Sequence, residues 1–198
     1  MTELAAWFSY KSAPKLIIGF MKFKKYLTRV IRMRGDSKYF AIQVSHLLDQ
    51  YVIGCADVVG DDGLFHGRTD EDGCRQRQTA APIFEPDRLR VEWMSLPIDV
   101  MNDVLSLPFK ASQVVNFVNG IAEFSMPPDY SEFFEERQYQ YARLGIEAAS
   151  LANKLRDHAN VRSQPFLVSD PVAYMIRRKE EIEQYRRERE RIIGSSVL

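Results

Sequence analysis

The chain has 198 residues, and its 27 Lys and Arg side chains balance its 27 Asp and Glu side chains, so the formal net charge is zero. Hydrophobic residues make up 45% of the sequence and charged residues 27%, which is close to the composition of an ordinary globular protein. This composition excludes collagen-like, low-complexity and wholly disordered chains. A chain of this length buries about 70% of its unfolded surface, so it needs no disulfide or metal to fold.

The cysteines and the apolar runs predict the compartment. Cys55 and Cys74 are too few for a secreted disulfide scaffold and lack the spacing of a zinc or redox motif. No apolar run reaches the roughly 18 residues of a spanning helix, and those near the N-terminus are not followed by a small-residue cleavage site. We therefore expect a cytoplasmic protein, with peripheral association at the inner face of the membrane as a further option.

Charge is distributed unevenly along the chain. Residues 11–38 contain nine cations and one acid, whereas residues 49–74 contain seven acids and one cation. The two segments can neutralise each other within the fold, or the basic segment can await an anionic partner.

Two amphipathic helices are predicted for the basic N-terminal region, residues 1–35. A short helix covers residues 2–12, and a second begins at Pro14 and ends at Arg34 and Gly35, where glycine suits a C-cap. The second helix has one apolar stripe, formed by Leu16, Phe20, Phe23, Leu27 and Val30. Its cations lie on another face, and the proposed anion or membrane surface consists of Lys22, Lys25, Arg29 and Arg32.

The predicted helical core, residues 36–165, begins with a helix that starts at Asp36 or Ser37 and stops at Gly60. Glycines and acids then predict an irregular acidic loop over residues 60–82. Residues 83–93 suggest at most a short strand. Residues 95–124 predict two short helices, because a Ser-Leu-Pro sequence recurs eleven residues apart and suits a helix start each time.

A long helix over residues 129–158 is the strongest structural signal. Asp129 suits the N-cap, with Glu132 three residues later as in a capping box. Apolar residues follow at alternating spacings of four and three, interrupted by Arg137, as in a coiled coil. We expect a seam for a partner or for a second copy, formed by Tyr130, Phe134, Tyr141, Leu144, Leu151 and Leu155.

The last predicted helix, in the region of residues 166–198, starts with Asp170 as N-cap and Pro171 at the first position. It is polar all round from Arg186 to Arg191, which is typical of a helix that projects into solvent or docks on a partner. Together these elements predict an all-α fold, a helical bundle with one long heptad-like helix and a charged, projecting C-terminal helix.

Catalytic motifs are absent from the sequence: it has no GxGxxG, Walker lysine, GxSxG or HExxH. The acidic loop is the best enzyme candidate, because carboxylates can supply oxygen ligands to a hard cation, although the spacing matches no EF-hand. The weak metal-ligand candidates are Asp61, Asp62, His66, Asp70 and Asp72. A solvated loop that neutralises the basic helix explains the same residues, and we favour it; no cofactor is expected.

The basic helix has three interpretations. It can lie on an anionic membrane with its apolar stripe buried in the interface, or it can follow the phosphates of a nucleic acid. It can also pack its stripe on other helices and leave its lysines in water. Zero net charge and the absence of a nucleic-acid-binding signature rank the second below the first.

Several stretches resemble a group of bacterial helical proteins to which no activity is assigned. They are VVGDDGL at residues 58–64, DEDG at 70–73, WMSLPIDVMNDVLSLP at 93–108 and PPDYSEFFEERQYQYARLG at 127–145. The resemblance covers most of residues 40–160. It implies a helical fold and carries over no functional residue.

These observations predict a non-enzymatic interaction or regulatory protein that binds a protein partner or a second copy of itself through helical surfaces. The basic N-terminal helix would anchor it to that partner or to an anionic membrane. A metal-dependent hydrolase that uses residues 57–72 and a nucleic-acid-binding protein are the alternatives.

Overall fold

A computed structural model describes residues 13–89, 93–126, 128, 130–166 and 168–196. Four α-helices follow one another there: α1 (Ala13–Gly60), α2 (Ile98–Phe124), α3 (Ser131–Ala159) and α4 (Pro171–Ser196). Two short 3-10 turns, Pro86–Arg88 and Trp93–Ser95, lie between α1 and α2. This part of the chain contains no β-strand, and the helices pack against each other, so the predicted all-α helical bundle is confirmed. The helix predicted for residues 2–12 lies outside the described residues.

The helix α1 is a single continuous helix of 48 residues. The predicted break at Arg34 and Gly35, with a new helix from Asp36 or Ser37, is therefore wrong. A glycine inside a helix costs only about 1 kcal/mol relative to alanine, so Gly35 alone does not end it. The spacing of the apolar positions also passes through residues 34–37 without a change of phase, so one side of the helix stays continuous.

The helix α3 packs antiparallel against the C-terminal half of α1. His158 contacts Ser37 at one end, with 2.8 Å between Nε2 and Oγ, and Arg137 bonds to Asp61 at the other. Near the middle, a Cβ atom on Gly145 would lie 2.9 Å from the Cβ of Cys55. The two helices approach this closely because residue 145 has no side chain.

The start of α3 differs from the predicted capping box. Asp129, the predicted N-cap, lies outside the described residues. Tyr130 precedes the helix in a left-handed conformation with φ +48°, and its side chain makes no capping hydrogen bond. At the other end, Asn160 is also left-handed, and its N–H bonds to the last turn, which ends the helix close to the predicted residue.

The helix α2 is one helix of 27 residues that contains Pro108, and the prediction of two short helices over residues 95–124 is wrong. Val104 and Leu107 are fully buried just before the proline, so core packing holds this part of α2 in place despite the backbone hydrogen bond that proline cannot donate. Ion pairs Lys110–Glu147 and Lys154–Asp103 align α2 antiparallel to α3.

The helix α4 also runs antiparallel to α3. Asp170 caps it as predicted, since Oδ1 accepts the backbone N–H groups of Val172 at 2.9 Å and Ala173 at 3.2 Å. Arg186 then bonds to two glutamates near the start of α3. All side chains of residues 187–194 are exposed, as expected for the polar C-terminal part.

The segment between α1 and α2 is irregular, as predicted for residues 60–82. The short strand suggested for residues 83–93 does not form in the part of that segment that is described, where a 3-10 turn occurs instead. Among the described helices, none combines the length and the apolar character needed to cross a bilayer.

Candidate functional site

A buried ion pair joins the acidic loop to α3. Arg137 Nη1 donates to Asp61 Oδ2 at 2.8 Å, and the two side chains are only 4% and 1% exposed. The same carboxylate accepts three backbone N–H groups: Gly63 at Oδ1, and Gln78 and Thr79 at Oδ2, each at 2.9 Å. Asp61 therefore holds both ends of the loop at one point of the core.

The network continues from the loop to α4 through Gln138. Its Nε2 donates to the carbonyl oxygen of Asp61 at 3.0 Å, and its Oε1 accepts two hydrogen bonds from Arg178, at 3.1 and 2.9 Å. Arg137 Nη2 also donates to the Thr79 carbonyl. One buried polar network thus connects the loop with α3 and α4, and all its members are hydrogen-bonded, as buried polar groups require.

Hydrogen bonding sets the charge state of Asp61. Burial by itself raises the pKa of this carboxyl group, but the N–H groups of Thr79 and Gly63 and the guanidinium of Arg137 stabilise the ionised form and lower the pKa below its usual value. Asp61 is therefore ionised at neutral pH and acts as an acceptor only. This favours a role as a structural anchor over a role as a general acid.

The other candidate metal ligands of the acidic loop lie apart from one another or form turns. Asp62 Oδ1 accepts the N–H of Leu64 at 3.0 Å, and Asp70 Oδ1 accepts those of Asp72 and Cys74. His66 is exposed and packs edge-on against the neighbouring phenylalanine. Within the described residues, no three His, Cys, Asp or Glu side chains come together in a way that could hold a metal ion.

The seam residues of α3 face the interior of the same chain. Tyr130 is half-buried against the small cluster of Val118, Phe133 and Phe134. The other five are at most 4% exposed and are covered by the remaining helices: Phe134, Tyr141, Leu144, Leu151 and Leu155. Packing within one chain accounts for their apolar character, so the predicted partner seam is filled by the protein's own helices.

The basic surface lies on the N-terminal half of α1. Lys25 is exposed, whereas the side chains of Lys22, Arg29 and Arg32 lie outside what the structure describes. Among the described side chains of α1, burial begins at Ser37. Before Ser37, the described side chains of α1 are those of Lys24, Lys25 and Asp36, and all three are exposed.

A serine and a histidine meet where α3 ends, but not in the arrangement of a nucleophile and its base. Ser37 Oγ donates its single proton to the carbonyl oxygen of Ser95 at 2.7 Å. It can therefore only accept from His158, so Nε2 of His158 carries the proton of the 2.8 Å contact. A base that activates serine would need that nitrogen unprotonated.

Sequence reasoning missed the residues that organise the loop. In the sequence, Arg137 reads as a polar interruption of an apolar seam, and no pattern draws attention to Gln138. A cation in a stripe that is otherwise buried needs a buried acceptor, and the acidic loop was the obvious source. That signal was present in the sequence, although it did not identify Asp61 among seven acids of residues 49–74.

No protein-family model, no curated protein and no solved structure matches this chain with significance. The resemblance to a group of bacterial helical proteins therefore stays a prediction, and the functional argument depends on the geometry of the chain itself.

Proposed function

We propose that this protein is a non-enzymatic interaction protein that uses the basic N-terminal half of α1, residues 13–36, to bind an anionic membrane surface. The helical bundle formed by the rest of the chain would then be held at that surface. The argument has three parts: the apolar register of α1, the position at which its packing partner ends, and the sign of its charges.

Apolar positions of α1 follow one register of alternating steps of four and three residues, which keeps its phase across two polar positions, Arg34 and Ser37. From Ser37 onward every position of this register is buried in the bundle: 37, 41, 44, 48, 51, 55 and 58. The same register continues toward the N-terminus through Leu16, Phe20, Phe23, Leu27 and Val30. The sequence therefore maintains an apolar stripe on the side of α1 that forms the core further along.

The packing partner ends where the basic half begins. His158, next to the last residue of α3, contacts Ser37, and α1 extends a further 24 residues toward its N-terminus, from Asp36 back to Ala13. At 1.5 Å per residue, this half is about 36 Å long. An apolar stripe of that length beyond the end of α3 calls for another apolar environment.

The charges favour a membrane over a second helix. Residues 13–36 contain seven cations and a single acid, Asp36 at the end next to the bundle. Helices that pair with each other in water usually carry both signs beside the seam, whereas helices that lie in a bilayer interface combine a cationic face with a Phe- and Leu-rich face. The observation that carries this proposal is the apolar register that continues past the end of α3 in a segment with seven cations and one acid.

Vesicle flotation tests the proposal. The purified protein should float with vesicles of mixed anionic and neutral phospholipid at low salt, and not with neutral vesicles alone. Each cation near an anionic surface contributes about 1 kcal/mol, so reversing Lys22, Lys25 and Arg29 to glutamate should weaken partitioning by at least about a hundredfold.

A matched control separates a specific surface from net charge. Reversal of the exposed Arg187, Arg189 and Arg191 of α4 to glutamate changes the net charge equally but leaves α1 intact. This control should float like the unchanged protein, and circular dichroism should show the same helix content for all forms. Equal loss in both variants, or no flotation of the unchanged protein, would refute the proposal. The proposal would also be refuted if the protein did not bind anionic vesicles but retarded RNA, or did not bind them but formed stable dimers.

A further inference from the structure

We infer that a cleft between the acidic loop and α2 binds a small organic anion, a carboxylate or phosphate ester with an apolar body. The cleft is half-enclosed and has a volume of about 320 Å³, which lies within the range of small-molecule sites. Residues 77–81 of the loop form one wall, and Val115, Val118 and Asn119 of α2 form another. Tyr141 and Arg137 of α3 complete the lining.

Arg77 supplies a positioned positive charge. Its guanidinium lies 4.7 Å from the centre of the Phe133 ring, and Nη2 donates to Oδ1 of Asn119 at 3.0 Å. Among the described residues, the amide oxygen of Asn119 is the one acceptor that Arg77 bonds to, and no carboxylate pairs with it. The second guanidinium of the cleft, that of Arg137, is already neutralised by Asp61.

Tyr141 supplies a hydroxyl donor at the cleft. The residue is only 3% exposed, it lines the cleft, and its hydroxyl makes no hydrogen bond to any described residue. Burial raises the pKa of this phenol above its usual value, although the positive charge of Arg137 opposes the shift, so the hydroxyl is protonated at neutral pH. The hydroxyl is not one of the fully buried polar atoms that lack a partner, so it is accessible from the cleft, and an anionic ligand oxygen could accept its proton.

The lining defines the chemical class of the ligand. A guanidinium without a carboxylate and a phenol without an acceptor share one cleft, and both donate to anionic oxygens. The remaining wall includes the valines of α2 and two loop alanines, Ala80 and Ala81, which favour an apolar body. The acidic loop, held in place by Asp61, would thus serve to build an anion site rather than a cation site.

Chemical-shift titration of the full chain tests this inference, with benzoate and phenyl phosphate as probes and benzamide as the neutral control. At least one anion should bind saturably and shift the resonances of residues 77–81 and 115–119. Benzamide should bind at least about tenfold more weakly, because it cannot accept a charge-assisted hydrogen bond. The two anions distinguish a carboxylate site from a phosphate site. Equal binding of benzamide, or no saturation by either anion, would overturn the inference.

Two variants identify the donors. Tyr141→Phe keeps the buried ring and removes only the hydroxyl, and Arg77→Gln removes the charge at an exposed position. Each should weaken binding of the preferred anion about fivefold to tenfold, whereas Arg162→Gln, an exposed arginine in the loop before α4, should leave it unchanged. Unaltered affinity in both variants, with thermal melting that shows a folded chain, would refute the assignment.

Discussion

Replacing Arg137 by methionine should destabilise the protein by about 3 kcal/mol. The substitution keeps the apolar part of the side chain but removes the hydrogen bonds to Asp61 and to the Thr79 carbonyl. Breaking a buried ion pair by removing one partner costs about 3 to 5 kcal/mol, because the other charge stays buried. Three backbone N–H groups still bond to the Asp61 carboxylate, so the lower end of that range applies.

Urea unfolding followed by circular dichroism measures this loss, and a second arginine provides a matched control. Arg88 bonds to Glu85 at 2.8 Å, the same distance as in the buried pair, but its side chain is 79% exposed. Arg88→Met should therefore change the free energy of unfolding by no more than about 0.5 kcal/mol, as is usual for exposed ion pairs.

A double-mutant cycle with Asp61→Asn isolates the interaction itself. The coupling free energy between Asp61 and Arg137 should be about 2 kcal/mol, which is within the range for residues in one buried network. The reasoning is refuted if Arg137→Met costs less than 1 kcal/mol, if the Arg88 control costs as much, or if the two changes are additive.

Three further predictions follow from individual contacts. Because the folded-state pKa of Asp61 is lowered, its ionised form stabilises the fold above the unfolded pKa of about 3.9, and this stabilisation is lost as the pH falls through the folded value. Between pH 5 and 3, the urea midpoint of Asp61→Asn should therefore fall less than that of the unchanged chain. Parallel curves of midpoint against pH would contradict this. Gly145→Ala gains about 1 kcal/mol of helix propensity, but the added methyl group crowds Met175 and Cys55, so the melting temperature should drop by several degrees. An increase would show that α1 and α4 can shift away from α3 at little cost. Burial raises the pKa of Cys55 to about 12. A thiol reagent at pH 8 should therefore modify only Cys74 in the native chain, and both thiols after unfolding. Rapid modification of two thiols in the native chain would contradict the burial of Cys55.

The helices could be predicted from the sequence where an apolar stripe and a stop signal agree. The long helix ending near Ala159 and the capped start of α4 at Asp170 are of this kind, because their signals are local. The predicted helix boundaries are wrong where they depend on a single residue that disfavours a helix and the packing of the helix outweighs its effect. Gly35 and Pro108 both lie inside continuous helices.

The candidate site was predictable only in part, because the sequence shows which side chains need partners but not which partners they find. The residue types of the acidic loop allow a hard-cation site, and the sequence favours a solvated loop over it. In the structure, Asp61 bonds to Arg137 and to three backbone N–H groups. Because Asp61 and Arg137 are 76 positions apart, no local sequence pattern predicts their ion pair.

Local sequence patterns are sufficient to predict the all-α class, the long amphipathic helix, the asymmetric charge distribution and the acidic loop. Each of these follows from composition or from a period of 3.6 residues, which act over one or two helical turns. Three features become visible only in the folded chain: the seam of α3 faces inward, α1 is continuous, and Arg77 and Tyr141 line one cleft with α2. Those outcomes depend on which helices lie beside each other, and that choice is made by burial and by long-range ion pairs across the whole chain.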